Sequence, residues 1–378
     1  MNKKKVLIFS SSPLHNGPRY IREIEALKEK YTVIAVGLTP PHDNSIFYFP
    51  FSQFDYSFID KVIRKLYKIT TGCIYKGKLP IIKQRIHKLL ENSKPDIVII
   101  HNPTHLPYFL GDQNKKYKVI FNAHEYHPLE FDENKKWMNL WGKYLYFLYR
   151  KYLPQVDLLI NVCQSIADKC EQEFEKMSVV IPNAAAYQSN IHPTKSPVNF
   201  PIRIIHHGGA IPERKIEIMI EAVQMLGDNY QLDLMLSDSN NKYYHELLRL
   251  TKKTNNVRII KPLPFDKIIS FINQYDIGLY NLPAISFNNR VALPNKLFEF
   301  IQARLCIVLG PSPEMKNIVQ QNNLGIVSND FTVKAIAEAI KSLSFDDIQR
   351  YKHNADQAAF DLSADKYMSK FLDAIKTI

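Results

Sequence analysis

The sequence lacks the features that would place it in a membrane, in a fibre or around a structural metal. It has no apolar run approaching the ~18 residues that a membrane-spanning helix requires. Glycine occurs only 12 times and apolar residues make up 46% of the chain, which excludes a disordered or fibrous protein. The four cysteines form no C-x-x-C pair, so neither a zinc site nor a redox motif is expected. These absences leave a globular protein with ordinary cytosolic thiols.

The opening MNKKKVLIFSSS has the basic start of a secretory signal peptide. Its apolar run, residues 6–9, is too short for the hydrophobic part of such a signal and is more typical of a first β-strand. We therefore expect a cytoplasmic protein. At 378 residues the chain is long for one hydrophobic core and suits two domains.

Positive charge is concentrated in the first half of the sequence. The chain has 49 Lys and Arg against 37 Asp and Glu, a net charge of +12, and most of this excess precedes residue 201. Residues 61–94 combine many basic residues with a single acid, Glu91, and with interleaved Ile, Leu and Tyr. Such a segment is typical of proteins that bind an anionic membrane surface, although a solvated helix face has the same composition. No nucleic-acid motif accompanies the charge, so no nucleic-acid partner is expected.

A second basic stretch, WGKYLYFLYRKYLP at residues 141–154, is rich in aromatic residues. Tyrosine and tryptophan favour the headgroup level of a bilayer, but the same aromatics can form the inner face of a packed helix. Together the two stretches predict a peripheral protein on the inner face of the cytoplasmic membrane.

Apolar β-branched runs alternate with helical patterns along the chain. VLIFS, TVIAVG, DIVIIH, KVIFNAH, DLLINV and SVVIP precede a proline-containing region without periodicity, and the alternation restarts at IRIIHHGG. Continuous apolar strands separated by helices indicate parallel sheets covered on both faces. We predict an α/β protein of two Rossmann-like domains, residues 1–185 and 202–364, joined by a linker at 186–201. A terminal helix at 365–378 can pack back on the first domain.

Polar residues follow several of these strands directly. The strand ends read SSSPLHNGPR, HNPTH, NAHEYH and HHGGAIPER. Each histidine taken alone is more often structural than catalytic. Because the carboxyl ends of parallel strands lie at one sheet edge, where ligands bind in open α/β sheets, the shared location favours a functional site.

Two glycines in the second half suit a phosphate. Gly208 and Gly209 let the backbone approach a ligand closely, and the following helix would offer its first N–H groups to an anion. Arg214 and Lys215 add positive charge. A tight strand-to-helix turn that uses glycine for geometry alone is the competing interpretation.

LPNKLFEF repeats this arrangement later in the chain. Pro294 and Asn295 are typical of a helix start, Lys296 can face a phosphate, and Glu299 lies one turn further in. A carboxylate at that depth can accept hydrogen bonds from the two hydroxyls of a ribose. The alternative is a capping arrangement in which Lys296 is solvated and Glu299 interacts favourably with the helix dipole.

LPNKLFEFIQARLCIVLG resembles the donor-site signature of the GT-B-fold glycosyltransferases of the large retaining family four. FNAHEYHP is similar to the family's Asp-x-His-Glu element, SVVIPNA to its Val-Pro-Asn turn, and IIHHGGAIPERKIEIMIEAV to its glycine-rich donor loop and helix. The likeness extends through nearly all of the chain. It implies two Rossmann-like domains facing each other across a cleft, and the transfer of a sugar from a nucleotide-sugar donor.

The resemblance implies donor-binding roles for residues at the matching positions. Glu299 would hold the ribose, and Arg214 would face the diphosphate. Asn295 and Lys296 would close over the same group, with Gly209 in the donor loop.

In the first domain, the resemblance implies that His124 faces the sugar and the donor phosphate, so that His124 and Arg214 would be the catalytic residues. Gly17 matches the glycine-containing loop after the first strand. With His101 and Glu125, Gly17 would lie on the acceptor side.

Two positions depart from the family pattern. Val291 stands where the family has a glutamate eight residues before the second one, which is the residue expected to bind hydroxyls of the donor sugar. Ala210 stands where many members carry an additional arginine. Both departures concern the identity of the donor sugar more than the reaction class.

The resemblance further implies retention of configuration, with the leaving phosphate helping to deprotonate the acceptor. No Asp-x-Asp motif occurs in the sequence, and preorganised cations can stabilise a leaving nucleoside diphosphate without a metal. We therefore expect no metal and no cofactor, a UDP- or GDP-sugar as donor, and a glycan or lipid-linked glycan acceptor in the synthesis of a cell-surface polysaccharide.

Two other functions fit parts of the pattern. A sugar-nucleotide epimerase or phosphorylase on the same fold would use the same phosphate-binding features. A non-catalytic, basic protein that binds membrane or polymer, with a decayed donor site, would fit the missing acid at Val291.

Overall fold

The computed structural model describes residues 3–15, 17–54, 80–112, 114–195, 200–237 and 239–378. The chain divides into two compact units. The first comprises Met1–Pro182 together with Met368–Ile378, and the second comprises Asn183–Tyr367. Most of the basic segment 61–94, namely residues 61–79, lies outside the described residues.

The first unit contains a parallel sheet of seven strands in the order β3-β2-β1-β4-β5-β6-β7. The strands are β1 (Lys5–Phe9), β2 (Thr32–Gly37), β3 (Phe47–Pro50), β4 (Ile97–Ile100), β5 (Lys118–Asn122), β6 (Leu158–Asn161) and β7 (Val179–Val180). The central strands are buried almost throughout, as expected for a sheet with helices on both faces. The short edge strand β3 was not predicted, because its partly exposed sequence FYFP lacks a continuous buried run.

Helices follow most strands of the first unit. They are α1 (Pro18–Lys28), α2 (Pro80–Ser93), α3 (Leu106–Phe109), α4 (Lys135–Trp137), α5 (Lys143–Tyr152) and α6 (Gln164–Phe174). One π-helical turn at Met138–Gly142 joins α4 to α5. The first helix begins where the sequence allows it, because Pro18 occupies a first-turn position at which no backbone N–H is needed.

The second unit repeats this construction with a parallel sheet of six strands in the order β10-β9-β8-β11-β12-β13. The strands are β8 (Ile202–Gly209), β9 (Tyr230–Ser237), β10 (Val257–Ile260), β11 (Ile277–Tyr280), β12 (Cys306–Leu309) and β13 (Gly325–Val327). The helices are α7 (Ile216–Leu226), α8 (Lys242–Thr251), α9 (Phe265–Ile272), α10 (Phe287–Arg290), α11 (Asn295–Gln302), α12 (Pro313–Gln321), α13 (Val333–Lys341) and α14 (Phe345–Ala358). The last helix, α15 (Ala364–Lys376), begins in the second unit, and its residues from Met368 onward belong to the first. The prediction of two parallel α/β sheets is confirmed.

The apolar strands supply the core of each unit. In the second unit, Ile204, Leu232, Leu279 and Val308 are fully buried and lie in one cluster with side chains of α7 and α13. Complete burial of one such side chain stabilises the fold by about 1.5–3 kcal/mol. The continuous apolar runs in the sequence therefore account both for the strands and for their helix-covered positions.

Each sheet reverses its strand order at one place. In the first unit the reversal lies between β1 and β4, and in the second it lies between β8 and β11. Ligands of open α/β sheets bind beyond the carboxyl ends of the strands at such points. The loops after these four strands are therefore the places to look for a site.

Candidate active site

Two cationic side chains lie against Gly208, the penultimate residue of β8. Gly208 has φ +134°, a backbone conformation that other residues rarely adopt. A Cβ atom added to Gly208 would lie 2.7 Å from Nζ of Lys296 and 3.1 Å from Nη1 of Arg214. Glycine is needed here for its backbone conformation and because a side chain would occupy the space taken by the two cations.

Arg214 is held by the loop that it follows. It ends a short 3-10 turn, Pro212–Arg214, and its Nη1 donates a hydrogen bond of 3.0 Å to the carbonyl oxygen of Gly209. The next residue, Lys215, has a left-handed backbone with φ 49°, which separates the turn from α7. The turn thus directs the guanidinium back over the glycine loop.

The first N–H groups of α7 are already used within the protein. The N–H of Ile216 donates to the hydroxyl of Tyr243 at 2.7 Å, and that hydroxyl donates to the carboxylate of Glu217. The N–H of Ile218 donates to the carbonyl of Lys215 at 3.1 Å. The prediction that this helix offers its first N–H groups to an anion is therefore wrong for Ile216 and Ile218, because a tyrosine from α8 and the preceding turn satisfy them.

Lys296 lies in the first turn of α11, next to Asn295 and after the cap residue Pro294. Its Nζ lies 5.7 Å from the centroid of the Tyr280 ring, at the end of β11. Desolvation, followed by the positive charge of Arg214, lowers the pKa of Lys296 to about 8. Two like charges held this close raise each other's energy, so the arrangement favours a bound anion.

Glu299 is buried one turn further along α11, with only 4% of its surface exposed. Its Oε2 lies 3.3 Å from Nε2 of His207. Desolvation, followed by the positive charge of Lys296, lowers the pKa of His207 well below its usual range, so the imidazole is neutral. The pair is therefore a contact between a carboxylate and a neutral ring.

A second neutral histidine, His206, precedes His207 on β8. Nδ1 of His206 donates to the carbonyl of Leu279 at 3.0 Å, and the ring stacks on Tyr280 at 5.7 Å between centroids. Desolvation, with Lys296 as the next cause, lowers the pKa of His206 to about 3. From the sequence we identified HHGG as a polar strand end but predicted no role for His206 or His207. Their position directly before the glycine pair was the available signal.

The two departures from the family pattern are both buried apolar positions. Val291, which follows α10, is 5% exposed, and Ala210 is 1% exposed. The carbonyl of Ala210 accepts a 2.9 Å hydrogen bond from the Asn241 side chain. Neither side chain can supply the charge or the hydrogen bonds of the residues that it replaces.

The first unit brings three of the predicted residues together. His124 lies just beyond β5 and is partly buried, and His101 lies just beyond β4. Their rings stack with 5.1 Å between the centroids and 11° between the ring planes. The Tyr20 ring packs edge-on against the His101 ring, with 4.7 Å between the centroids. A Cβ atom on Gly17 would lie 3.1 Å from Cε2 of Tyr20, so Gly17 leaves room for that ring.

Glu23 completes this group and was missed from the sequence. Its Oε2 lies 3.0 Å from Nε2 of His101, and its Oε1 accepts a hydrogen bond from the Asn122 amide. Glu23 lies on the buried face of α1 with Tyr20, Ile24 and Leu27. A charged residue on the apolar face of an amphipathic helix was the signal that could have found it.

Glu125 is the predicted residue that stands apart from this stack. Its side chain is exposed, and its carbonyl accepts a 3.4 Å hydrogen bond from the hydroxyl of Tyr149. Arg19 on α1 lies close enough to interact with the charges of both Glu23 and Glu125. Glu125 therefore belongs to the charged surroundings of the histidines.

Among the residues described, no group of three or more His, Cys, Asp and Glu side chains is placed to hold a metal ion. The helices of the described ranges include none with the length and apolar character needed to cross a membrane.

Comparisons with known proteins agree with this architecture. Residues 20–186 match the sequence profile of Glycosyltransferase Family 4. No curated protein matches the chain. Similar solved structures include sucrose-phosphate synthase from Thermosynechococcus elongatus, with 12% identity, 99% of each chain covered and a TM-score of 0.73.

Two further structures are similar over the full chain. HepE from Anabaena in complex with UDP has 13% identity, with 99% of this chain and 100% of that chain covered and a TM-score of 0.71. A glycosyltransferase from Rickettsia africae has 13% identity, with coverage of 100% and 99% and a TM-score of 0.70. At such identities the likeness establishes the fold, while the profile match covers the segment that holds His101 and His124. The similar structures share the GT-B fold with this chain, and residues 20–186 resemble Glycosyltransferase Family 4.

Proposed function

We propose that the protein transfers a sugar from a nucleotide-sugar donor to a glycan or lipid-linked glycan acceptor. The observation that carries this proposal is the convergence of Arg214 and Lys296 on Gly208, at the point where the second sheet reverses its strand order. A diphosphate placed there would relieve the repulsion between the two cations. The similar fold of HepE, which was crystallised with UDP and with UDP-glucose, supports a nucleotide-sugar as the ligand.

The other donor contacts follow from the same helix. Glu299 would accept hydrogen bonds from the ribose hydroxyls, and Asn295, at the first helical position, would lie beside the diphosphate with Gly209. The neutral His207 keeps the buried Glu299 carboxylate from forming an internal ion pair that would compete with the ribose. The donor is a UDP- or GDP-linked sugar.

The chemistry requires stabilisation of a leaving group. Cleavage of the bond between the anomeric carbon and the phosphate oxygen places negative charge on the nucleoside diphosphate, and Arg214 and Lys296 would stabilise that charge as it develops. His124 would act on the sugar and the donor phosphate. We propose retention of configuration without a metal, with the leaving phosphate accepting the proton of the acceptor hydroxyl.

The stacked group of the first unit would serve the acceptor side, through Gly17 and His101 with Glu125 at its exposed margin. The acceptor would be a growing cell-surface polysaccharide or its lipid-linked precursor. This assignment rests on the positions of these residues beyond the sheet of the first unit.

A thermal-shift screen across UDP-, GDP- and ADP-linked sugars tests the proposal first, because a ligand that binds only the folded protein raises its melting temperature. The stabilising donor is then incubated with candidate acceptors, and transfer, hydrolysis and epimerisation are measured separately. Transfer supports the proposal. Epimerisation or phosphorolysis alone would indicate the other enzyme classes, and the absence of binding by every nucleotide would indicate a non-catalytic protein.

Donor binding should weaken as the pH rises through about 8. The lowered pKa of Lys296 means that the free protein loses this charge at that pH, whereas the diphosphate of a nucleotide-sugar stays fully ionised. Because a bound diphosphate would raise the pKa of Lys296, the affinity should fall about tenfold between about pH 7 and about pH 9. Calorimetry over this range measures the effect. Lys296→Met is the matched control: it should bind weakly with no such pH dependence, and an unchanged pH dependence would assign the titration to another group.

We further propose that the first unit docks on an anionic membrane surface to reach its acceptor. On α2, Ile82, Ile86 and Leu89 are buried while Lys83 and Lys88 are exposed, so the exposed side chains described on this helix contribute charge. On α5, Tyr149 is buried, whereas Tyr146 and Phe147 are 41% and 37% exposed. The exposed aromatics and the surrounding basic residues of α5 suit a headgroup region. Lys61, Arg64, Lys65 and Lys68, the residues at the start of the basic segment, lie outside the described residues.

The protein should co-sediment with vesicles rich in phosphatidylglycerol, and salt should reduce the binding by screening. Each lysine near an anionic surface contributes about 1 kcal/mol to the free energy of membrane binding. A Lys83→Gln, Lys88→Gln double variant should therefore bind the vesicles roughly thirtyfold more weakly. The matched control is Lys252→Gln, Lys253→Gln, which removes two exposed lysines from the second unit. Equal binding by both double variants, or no binding to anionic vesicles at low salt, would contradict membrane docking.

A further inference from the structure

We propose that Glu23 is a positioning residue that sets the orientation of His124 through the ring of His101. The inference rests on the proposed function, because His124 must act on the donor for its orientation to affect turnover. Glu23 lies on α1 and is buried, being 1% exposed. Its effect on the reaction therefore has to pass through its neighbours.

The Glu23 carboxylate contacts the ends of two adjacent strands. Oε2 lies 3.0 Å from Nε2 of His101, after β4, and Oε1 accepts a hydrogen bond from the amide of Asn122, the last residue of β5. Asn122 precedes His124 by two residues. One carboxylate thus lies against the ring on which His124 stacks and accepts a hydrogen bond from the strand end from which His124 extends.

The imidazole rings transmit this constraint by direct packing. His101 is 2% exposed and lies nearly parallel to His124, with 5.1 Å between the centroids. Tyr20 meets the His101 ring at 73° and the His124 ring at 84°, so it limits tilting of both. A rotation of His101 away from Glu23 would remove the surface against which His124 rests.

The choice of a carboxylate is costly for packing alone. The other buried positions of α1, namely Tyr20, Ile24 and Leu27, are occupied by apolar or aromatic residues. Burial of a charged carboxylate is unfavourable unless its partners compensate, and replacement of such a carboxylate together with its partner by apolar side chains often gives equal or greater stability. A role in orienting His101 explains why Glu23 is suited to this position.

Glu23→Gln tests the inference with the shape of the side chain preserved. We expect kcat to fall about tenfold with the KM for the donor changed less than twofold, because small misplacement of a reacting group lowers turnover without removing donor contacts. Glu25→Gln is the matched control, since it removes an exposed carboxylate from the same helix. In the His124→Ala background, Glu23→Gln should have no further effect on kcat. An unchanged kcat in the single variant, or an equal loss in both backgrounds, would overturn the inference while leaving the proposed function intact.

Two further measurements separate positioning from folding. The double variant Glu23→Leu, Asn122→Leu removes both members of the hydrogen-bonded pair, so it should keep a melting temperature near that of the natural protein and still lose turnover, whereas a purely structural pair would lose both or neither. NMR of ring-labelled histidine should show a shifted His124 signal in Glu23→Gln and an unshifted one in Glu25→Gln. This signal does not depend on activity, so it supports or overturns the positioning of His124 even if the wild-type protein transfers no sugar.

Discussion

Arg214→Ala and Glu299→Ala should each lower kcat/KM for the nucleotide-sugar donor by roughly ten- to a hundredfold while the protein remains folded. The expectation follows from the value of a charge-assisted hydrogen bond, which is about 1.5–3 kcal/mol. Arg214 is held against the glycine loop by its bond to the carbonyl of Gly209, and Glu299 is buried beside His207. Steady-state kinetics with the donor found by thermal shift, and calorimetry with the matching nucleoside diphosphate, measure the losses.

The two variants should differ in which part of the nucleotide they stop recognising. Arg214→Ala should lose affinity for the diphosphate but keep its preference for ribose, whereas Glu299→Ala should bind the nucleoside diphosphate and its 2′,3′-dideoxy analogue with nearly equal affinity. Arg249→Ala and Glu338→Ala are the matched controls, because both residues are exposed on helices of the second unit. Unchanged kinetics in both Arg214→Ala and Glu299→Ala would show that the donor does not bind at these two residues.

The fold was predictable because its signals are local. Strands such as VLIFS and DIVIIH are continuous apolar runs, and such runs occur where helices cover both faces of a parallel sheet. The edge strand β3 (Phe47–Pro50) escaped prediction because an edge position leaves its side chains partly exposed and breaks that pattern. The sequence predicts a helix from near Glu213, whereas α7 begins at Ile216, because the left-handed backbone of Lys215 interrupts a helical sequence that has no proline or glycine at that point.

The site was predictable only as far as strand ends and helix starts define it. Gly208, Arg214 and Lys296 could be related because each stands at the end of a strand or the beginning of a helix, and such positions share one edge of the sheet. The pairing of Glu299 with His207 joins residues far apart in sequence, and no local pattern encodes it. The same holds for Tyr243, which satisfies the first N–H group of α7 from the neighbouring helix.

His124→Ala should lower kcat about a hundredfold and change the Kd for the donor less than twofold. A positioned group that acts on the reacting atoms contributes about 10²–10⁴-fold to turnover, and an interaction formed only in the transition state is lost from kcat without a loss of ground-state binding. Arg214 and Lys296, the proposed donor-binding cations, belong to the second unit and are unchanged in this variant, so nucleotide affinity should persist. His245→Ala, which removes an exposed histidine from α8, is the matched control.

The outcome separates three roles for His124. A loss confined to kcat supports action on the sugar and the donor phosphate. A parallel loss of nucleotide affinity would make His124 a binding residue for the nucleotide. Full activity would mean that the stacking of His124 on His101 serves only to pack the two rings. The residues that act on the acceptor would then be sought at Glu125 and Arg19, the charged neighbours of these histidines.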